Sequence, residues 1–122
     1  MIYFIVGLLL VLLVIAFYLF PFIEVVGDSM HPTYKNGEII VGCRLFRKSK
    51  IKVGDVIVYY SPTDSEKRRV IKRVEFTAKD KRKRLLYCLG DNSEESYDSR
   101  HYGYFNANLV ICKIINQRGK DE

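Results

Sequence analysis

The chain has 122 residues, of which 20 are Lys or Arg and 14 are Asp or Glu, for a formal net charge of +6. No charged residue falls in the first 23 positions. That distribution excludes both a wholly soluble protein and a multi-span membrane protein, and leaves a membrane anchor joined to one polar domain large enough for a small core.

The anchor comes first. Ile2 to Phe20 is an apolar and aromatic run interrupted only by Gly7. As a helix it would reach about 28 Å, close to the ~30 Å hydrocarbon core of a bilayer. Tyr3 and Tyr18 sit near its ends, where amphipathic rings favour the interface, and Pro21 stops the helix. The run lacks a basic start and a small-x-small exit, so it reads as a retained single span rather than a cleaved leader. Lys35 and Arg44 follow the span and no basic residue precedes it. This local charge bias points to a cytoplasmic domain, but it is a poor guide for domains above about 60 residues, so orientation stays open at this point.

Beyond the anchor, runs rich in Val, Ile, Tyr and Phe alternate with turn residues. Strands are expected over Glu38–Cys43, Asp55–Tyr60, Arg69–Thr77, Arg84–Leu89 and Asn108–Ile115, with breaks at Asn36-Gly37, Gly54-Asp55, Ser61-Pro62 and Gly90-Asp91-Asn92. No amphipathic helical repeat follows the anchor. The expected fold is all-β: a small coiled antiparallel sheet or barrel preceded by one transmembrane helix. The boundaries are residues 1–23 for the anchor, 24–116 for the β-domain and 117–122 for a polar, frayed tail.

Cys43, Cys88 and Cys112 form no CxxC pair and no metal-ligand spacing, and each lies in an apolar stretch, so they read as small buried hydrophobes, with one disulfide conceivable outside the cytoplasm. Neither a metal nor a cofactor is called for. The basic clusters at Arg44–Lys52 and Lys79–Arg84 suit a hairpin tip or a surface resting on anionic lipid better than nucleic acid, given the tether.

Three segments carry chemistry. Gly27-Asp28-Ser29-Met30-His31-Pro32-Thr33 begins six residues past the anchor, so Ser29 works within about 20 Å of the membrane. It reads either as an ordinary turn or as a nucleophile whose own N–H helps form an oxyanion hole. In the strand Arg69–Thr77, period-2 alternation puts Val70, Lys72, Val74 and Phe76 on one face and Ile71, Arg73 and Glu75 on the other, whose charge pair solvent would favour. Lys72 is then either a snorkelling lysine or a desolvated amine with a depressed pKa, the form a lysine base requires. Gly90 to Arg100 is a loop of turn formers and hydroxyls that could equally be structural or brace a site. His31 lies too close to Ser29, and His101 too far into a loop, to make a convincing triad.

Together and in this order, GDSMHPT (27–33), GDVIVY (54–59), VIKRV (70–74) and GDNSEESYDSRHYG (90–103) resemble type I signal peptidases, the membrane-bound Ser–Lys endopeptidases. The resemblance implies Ser29 as nucleophile and Lys72 as general base, with Met30 walling the site and Ser96 hydrogen-bonding the lysine. It implies Asp91, Asp98 and Arg100 as braces, the last two as an ion pair, and Gly27 and Asp28 on the oxyanion side. Ile39, Val41, Val70 and Ile71, with Met30, are the expected substrate pocket. The implied partners are signal-peptide-bearing precursors and the lipid bilayer, with the domain on the extracytoplasmic side, which overrides the charge bias. Gly27 stands where some members have an oxyanion-hole serine, and the 17 residues from Val74 to Gly90 leave no room for the extra β-domain of larger members. A peptidase dedicated to one precursor and a non-catalytic tethered β-module remain the alternatives.

Overall fold

The computed structural model describes residues 1–115 and 117–120. Its first element, α1 (Ile2–Leu19), is an 18-residue helix with a mean hydropathy of 3.0 and no buried residue. By length and composition it suffices to cross a membrane. Pro21 follows directly, and the chain turns into a β-domain whose strands are β1 (Phe22–Glu24), β2 (Ile39–Cys43), β3 (Val56–Tyr60), β4 (Arg69–Asp80), β5 (Lys83–Leu89), β6 (Phe105–Asn106) and β7 (Val110–Ile114). A single four-residue helix, α2 (Ser99–Tyr102), interrupts them.

All seven strands belong to one antiparallel sheet in the order β1-β2-β7-β3-β4-β5-β6. The sheet is open: β1 and β6 are its edges, so of the two expected forms it is the coiled sheet and not the closed barrel. The five expected strands are present. β1 and β6 are additions, too short to give a periodic signal, and the segment around Asn108 is a single 3-10 turn leading into β7.

Two apolar clusters cover the two faces. One gathers Val25, Met30, Tyr34, Ile40, Val56, Val58, Ile71 and Ile114; the other Ile57, Tyr59, Val74, Leu86, Cys88, Phe105 and Val110. With both faces covered, the rule that one face of an antiparallel strand meets water does not apply to the middle of β4. Arg73, expected on a solvent face, is buried there with Lys72. The same strand carries a bulge between Val74 and Phe76, which sets Glu75 as the extra residue. Phe76 therefore leaves the Lys72 face and stands exposed against Tyr87, with ring centroids 5.7 Å apart. The three cysteines are free thiols.

The helix end is fastened to the sheet by main-chain and guanidinium contacts. Gly42 N–H donates to the Pro21 carbonyl (2.9 Å), Arg44 N–H to the Leu19 carbonyl (2.8 Å), and Arg44 Nε to the Tyr18 carbonyl (2.9 Å). Gly42 is the residue that allows this: a Cβ there would sit 2.7 Å from Cys112 Sγ.

At the other terminus, Gln117 and Arg118 are docked rather than frayed. Arg118 pairs with Glu38, donates from Nη1 to the Thr33 carbonyl (2.8 Å) and lies 5.0 Å from the centre of the Tyr34 ring. The remainder of the expected tail, Asp121 and Glu122, lies outside the described residues.

Candidate active site

Lys72 occupies the middle of β4, opposite Ile57 of β3 and between Val70 and Val74 on its own strand. These neighbours belong to the second apolar cluster or pack against it, so the ammonium is drawn into a largely dry niche and the residue is only 5% exposed. Its Nζ lies 2.9 Å from Ser29 Oγ, with the two residues 43 positions apart in sequence. Burial pulls the Lys72 pKa below the ordinary lysine value; the Asp98 carboxylate and Cys88 act upward, and Arg100 adds to the lowering. Cys88 is itself pushed up by burial and stays a neutral thiol at pH 7, so Asp98 is the opposing charge that counts.

Ser29 sits in the turn that follows β1, and three groups from the segment after β5 hold it. Asn92 N–H donates to the Ser29 carbonyl (2.8 Å) and Asn92 Nδ2 to the Asp28 carbonyl (2.9 Å). Asp91 N–H points at Met30 Sδ (3.4 Å). Gly90 supplies the room: a Cβ there would lie 2.6 Å from the Ser29 carbonyl and closer still to Ser96 Oγ. Among the described residues the Ser29 N–H has no hydrogen-bond partner. Gly27 has φ +88°, and its N–H is taken by Asn36 Oδ1 (2.9 Å). Asp28 is exposed, and its carbonyl also accepts from His31 N–H.

A buried carboxylate backs the lysine. Asp98 accepts from Gly90 N–H (2.8 Å), Ser96 Oγ (2.7 Å), Arg100 N–H (3.1 Å), Arg100 Nε (2.9 Å) and Arg100 Nη2 (2.6 Å). Burial alone would raise its pKa, but the Arg100 guanidinium and the other donors overrule it and hold the carboxyl well below the usual range. Arg100, pinned by two nitrogens, in turn offsets part of the field that Asp98 casts on Lys72. Asp98 also caps α2, where His101 accepts the Asp98 N–H and stacks on Tyr97, an architectural place for that histidine.

Ser96, expected against the lysine, instead gives its hydroxyl hydrogen to Asp98. Asp91 is paired with Arg73 through two bonds (2.9 and 2.8 Å), and Arg73 reaches the Gly54 carbonyl as well (3.0 Å). Sequence reasoning found Asp91 and missed its partner, because strict alternation put Arg73 in solvent; the signal available was the Lys-Arg pair in a strand flanked by valines.

A groove of about 650 Å³ runs up to the Ser29–Lys72 pair. Its apolar walls include Phe22 and Ile23 of β1, Val26, Val58, and Val70 and Ile71 of β4; Lys67, Arg68 and Arg69 also line it, as do Pro21 and Arg44 beside the end of α1. Of the residues expected to contact substrate, Val70 and Ile71 are in these walls. Met30 is fully buried in the core beneath the turn, and Ile39 and Val41 are not among the walls. The reason is β1, which pairs along β2 at Ile39–Val41 and puts its own residues at the groove in their place.

The family model described as signal peptidase, peptidase S26, matches residues 1–81, which take in the serine turn and the lysine strand but stop short of the Gly90–Arg100 loop. The chain is also 34% identical, over 116 aligned residues covering 80% of this chain and 73% of the other, to mitochondrial inner membrane protease subunit 1 of Schizosaccharomyces pombe.

Proposed function

The chain belongs to the signal peptidase family, peptidase S26, and on that premise we propose that it is a membrane-anchored serine endopeptidase that removes signal peptides from exported precursors after small-x-small sites. The observation that carries the reading is the 2.9 Å contact between Lys72 Nζ and Ser29 Oγ inside an apolar niche. An ordinary lysine is well under 1% neutral at pH 7 and would be a poor base. Burial shifts this one toward the neutral amine.

In the proposed cycle a precursor lies extended in the groove between β1 and the start of β4, pairing its backbone with an exposed strand edge. Neutral Lys72 takes the hydroxyl proton of Ser29 as Oγ bonds to the scissile carbonyl carbon. The Ser29 N–H, free of other partners, donates to the developing oxyanion; a donor of this kind is worth about 3–4 kcal/mol in other enzymes. The ammonium of Lys72 then gives its proton to the leaving amine as the C–N bond breaks, leaving an acyl-enzyme. Water, deprotonated by the same amine, attacks the ester carbonyl, and Ser29 leaves with the proton returned. Gly27 N–H is engaged with Asn36, so it is not the second oxyanion donor. Asp98, Arg100, Ser96, Asp91 and Arg73 act as braces that keep the serine turn over the lysine.

In this reading the domain lies on the extracytoplasmic face, and the setting is a membrane, as the name of the Schizosaccharomyces pombe relative says of that protein. The test is incubation of the detergent-solubilised chain with a precursor carrying a small-x-small site, product N-termini being read by mass spectrometry. Cleavage after the second small residue by the wild type, absent in Ser29→Ala, is the expected result. Equal cleavage by Ser29→Ala removes the nucleophile. A panel of unrelated precursors separates a general enzyme, which cuts several, from one dedicated to a single substrate.

A further inference from the structure

We propose that the loop joining β2 to β3, residues 44–52, is a foot that holds anionic phospholipid at the surface of the bilayer entered by α1. The inference rests on α1 being a membrane span. Between Glu38 and Asp55 the chain has no acidic residue and five basic ones, Arg44, Arg47, Lys48, Lys50 and Lys52. The loop begins at the helix end, where Arg44 bonds the Leu19 and Tyr18 carbonyls and its guanidinium lies 5.0 Å from the centre of the Tyr18 ring. Its start is thereby fixed at the level where α1 leaves the hydrocarbon.

A second groove, of about 450 Å³, lies beside the helix end at Phe20 and shares no lining residue with the catalytic cleft. Phe20, Leu45, Phe46 and Ile115 give it an apolar floor, with Arg47 and Lys50 at the edge. Leu45 is 64% exposed, an unfavourable place in water for a leucine in this basic loop but a suitable one at a headgroup–acyl boundary. Lys48 is engaged by Asn108 and Lys113 by Asp55, whereas among the described residues Arg47 and Lys50 have no carboxylate partner. An apolar floor with unpaired cations at its edge matches an acyl chain and its phosphate.

Of the other basic cluster, Arg84 reaches back to bond the Ile51 carbonyl, but the tip of its hairpin does not share this position. β2 and β3 both pair antiparallel with β7, so they run the same way. The helix docks at the C-terminal end of β2, whereas the hairpin bearing Lys79–Arg84 extends past the N-terminal start of β3. Charge alone would not choose between the clusters; the topology does.

The experiment uses the full chain in lipid nanodiscs made of phosphatidylcholine alone or with about 30% phosphatidylglycerol, and follows amide hydrogen exchange. Each free cation is expected to shift the equilibrium toward the lipid-bound loop by roughly fivefold. Amides of residues 45–50 therefore exchange at least about fivefold more slowly in the anionic discs, and the difference disappears in about 0.5 M salt. The double variant Arg47→Glu/Lys50→Glu loses it, and the hairpin amides show none. Equal exchange in both lipids, protection at the hairpin instead, or protection that survives salt and charge reversal overturns the proposal. Alkaline carbonate extraction separates the two readings. A chain released by carbonate overturns the span itself, whereas a retained chain with lipid-independent exchange overturns only the foot.

Discussion

Replacing Gly90 by alanine adds one methyl group at the point where three parts of the site converge. The backbone at Gly90 is not in the left-handed region, so the substitution carries no conformational penalty, and its effect is steric. The new Cβ would lie 2.6 Å from both the Ser29 carbonyl oxygen and Ser96 Cβ. Ordinary contact begins near 3.4 Å, so the serine turn must retreat by about 0.8 Å, and the Ser96 hydroxyl, closer still to the new Cβ, by about 1.2 Å. Neither is a flexible side-chain tip. One is backbone bonded to Asn92, the other a serine bonded to Asp98. Overpacking of this kind costs about 1–3 kcal/mol, and a misplacement approaching 1 Å costs on the order of a hundredfold in rate. Cleavage of a small-x-small precursor peptide gives kcat and KM, and melting by far-UV circular dichroism gives stability. We expect Gly90→Ala to lower kcat by about a hundredfold. Gly42→Ala is the matched control: its Cβ meets Cys112 Sγ at 2.7 Å and the tip of Ile23 at 2.9 Å, so it should lose stability while keeping kcat. A Gly90→Ala enzyme that turns over within twofold of wild type would refute the claim that this contact fixes the position of Ser29.

Lys72→Met should abolish cleavage, by at least about a thousandfold, and yet raise stability at pH 7 on the order of 1 kcal/mol, since it removes a cation from an apolar niche. The folded pKa of Lys72 is lowered, so the folded state binds fewer protons than the unfolded one between the two pKa values and wild-type stability climbs with pH through that window. The advantage of Lys72→Met therefore shrinks as pH approaches the ordinary lysine value; chemical denaturation at several pH values reads this. Over the same range kcat/KM of the wild type should rise with pH and level off below 10.5, the unperturbed lysine value; a flat profile counts against an amine base. Asp98→Asn should lose about 1.5–3 kcal/mol at neutral pH. That loss fades as pH falls below about 4, because a carboxylate with a depressed folded pKa gives its stability above the unfolded value and loses it on acidification. Arg118→Ala should cost about 1 kcal/mol or less and lower kcat with KM unchanged, since Arg118 holds Thr33 and Tyr34 behind the serine turn; an unchanged kcat would mean that the tail does not brace the site.

The main strands were legible because valine and isoleucine runs bounded by glycine, proline and asparagine have one dominant reading, and the serine, the lysine and the Asp98–Arg100 pair were legible through ordered motifs. What escaped had physical reasons. β1 follows the anchor so closely that Phe22 and Ile23 read as its continuation, and with β1 unseen the groove walls were assigned to Ile39 and Val41. Arg73 and Phe76 defeated period-2 reasoning from opposite directions, one because both faces of β4 are covered and the other because a bulge reverses the alternation. Gly90 was read as a turn former, although its role is close approach, which composition does not reveal. Arg118 lay in a stretch whose polarity suggested solvent, but its partners Glu38, Thr33 and Tyr34 lie more than eighty positions back along most of those contacts and give no local signal.

The serine turn is held to the lysine strand and to the segment after β5 by a handful of bonds, Lys72 to Ser29, Asn92 to Ser29 and Asp28, and Asp91 to Met30, whereas β4 and β5 are laced together along seven paired positions. On warming, the sparse seam parts before the ladder does. Loss of turnover should therefore set in several degrees before the far-UV signal moves, and cooling from that intermediate temperature should bring it back.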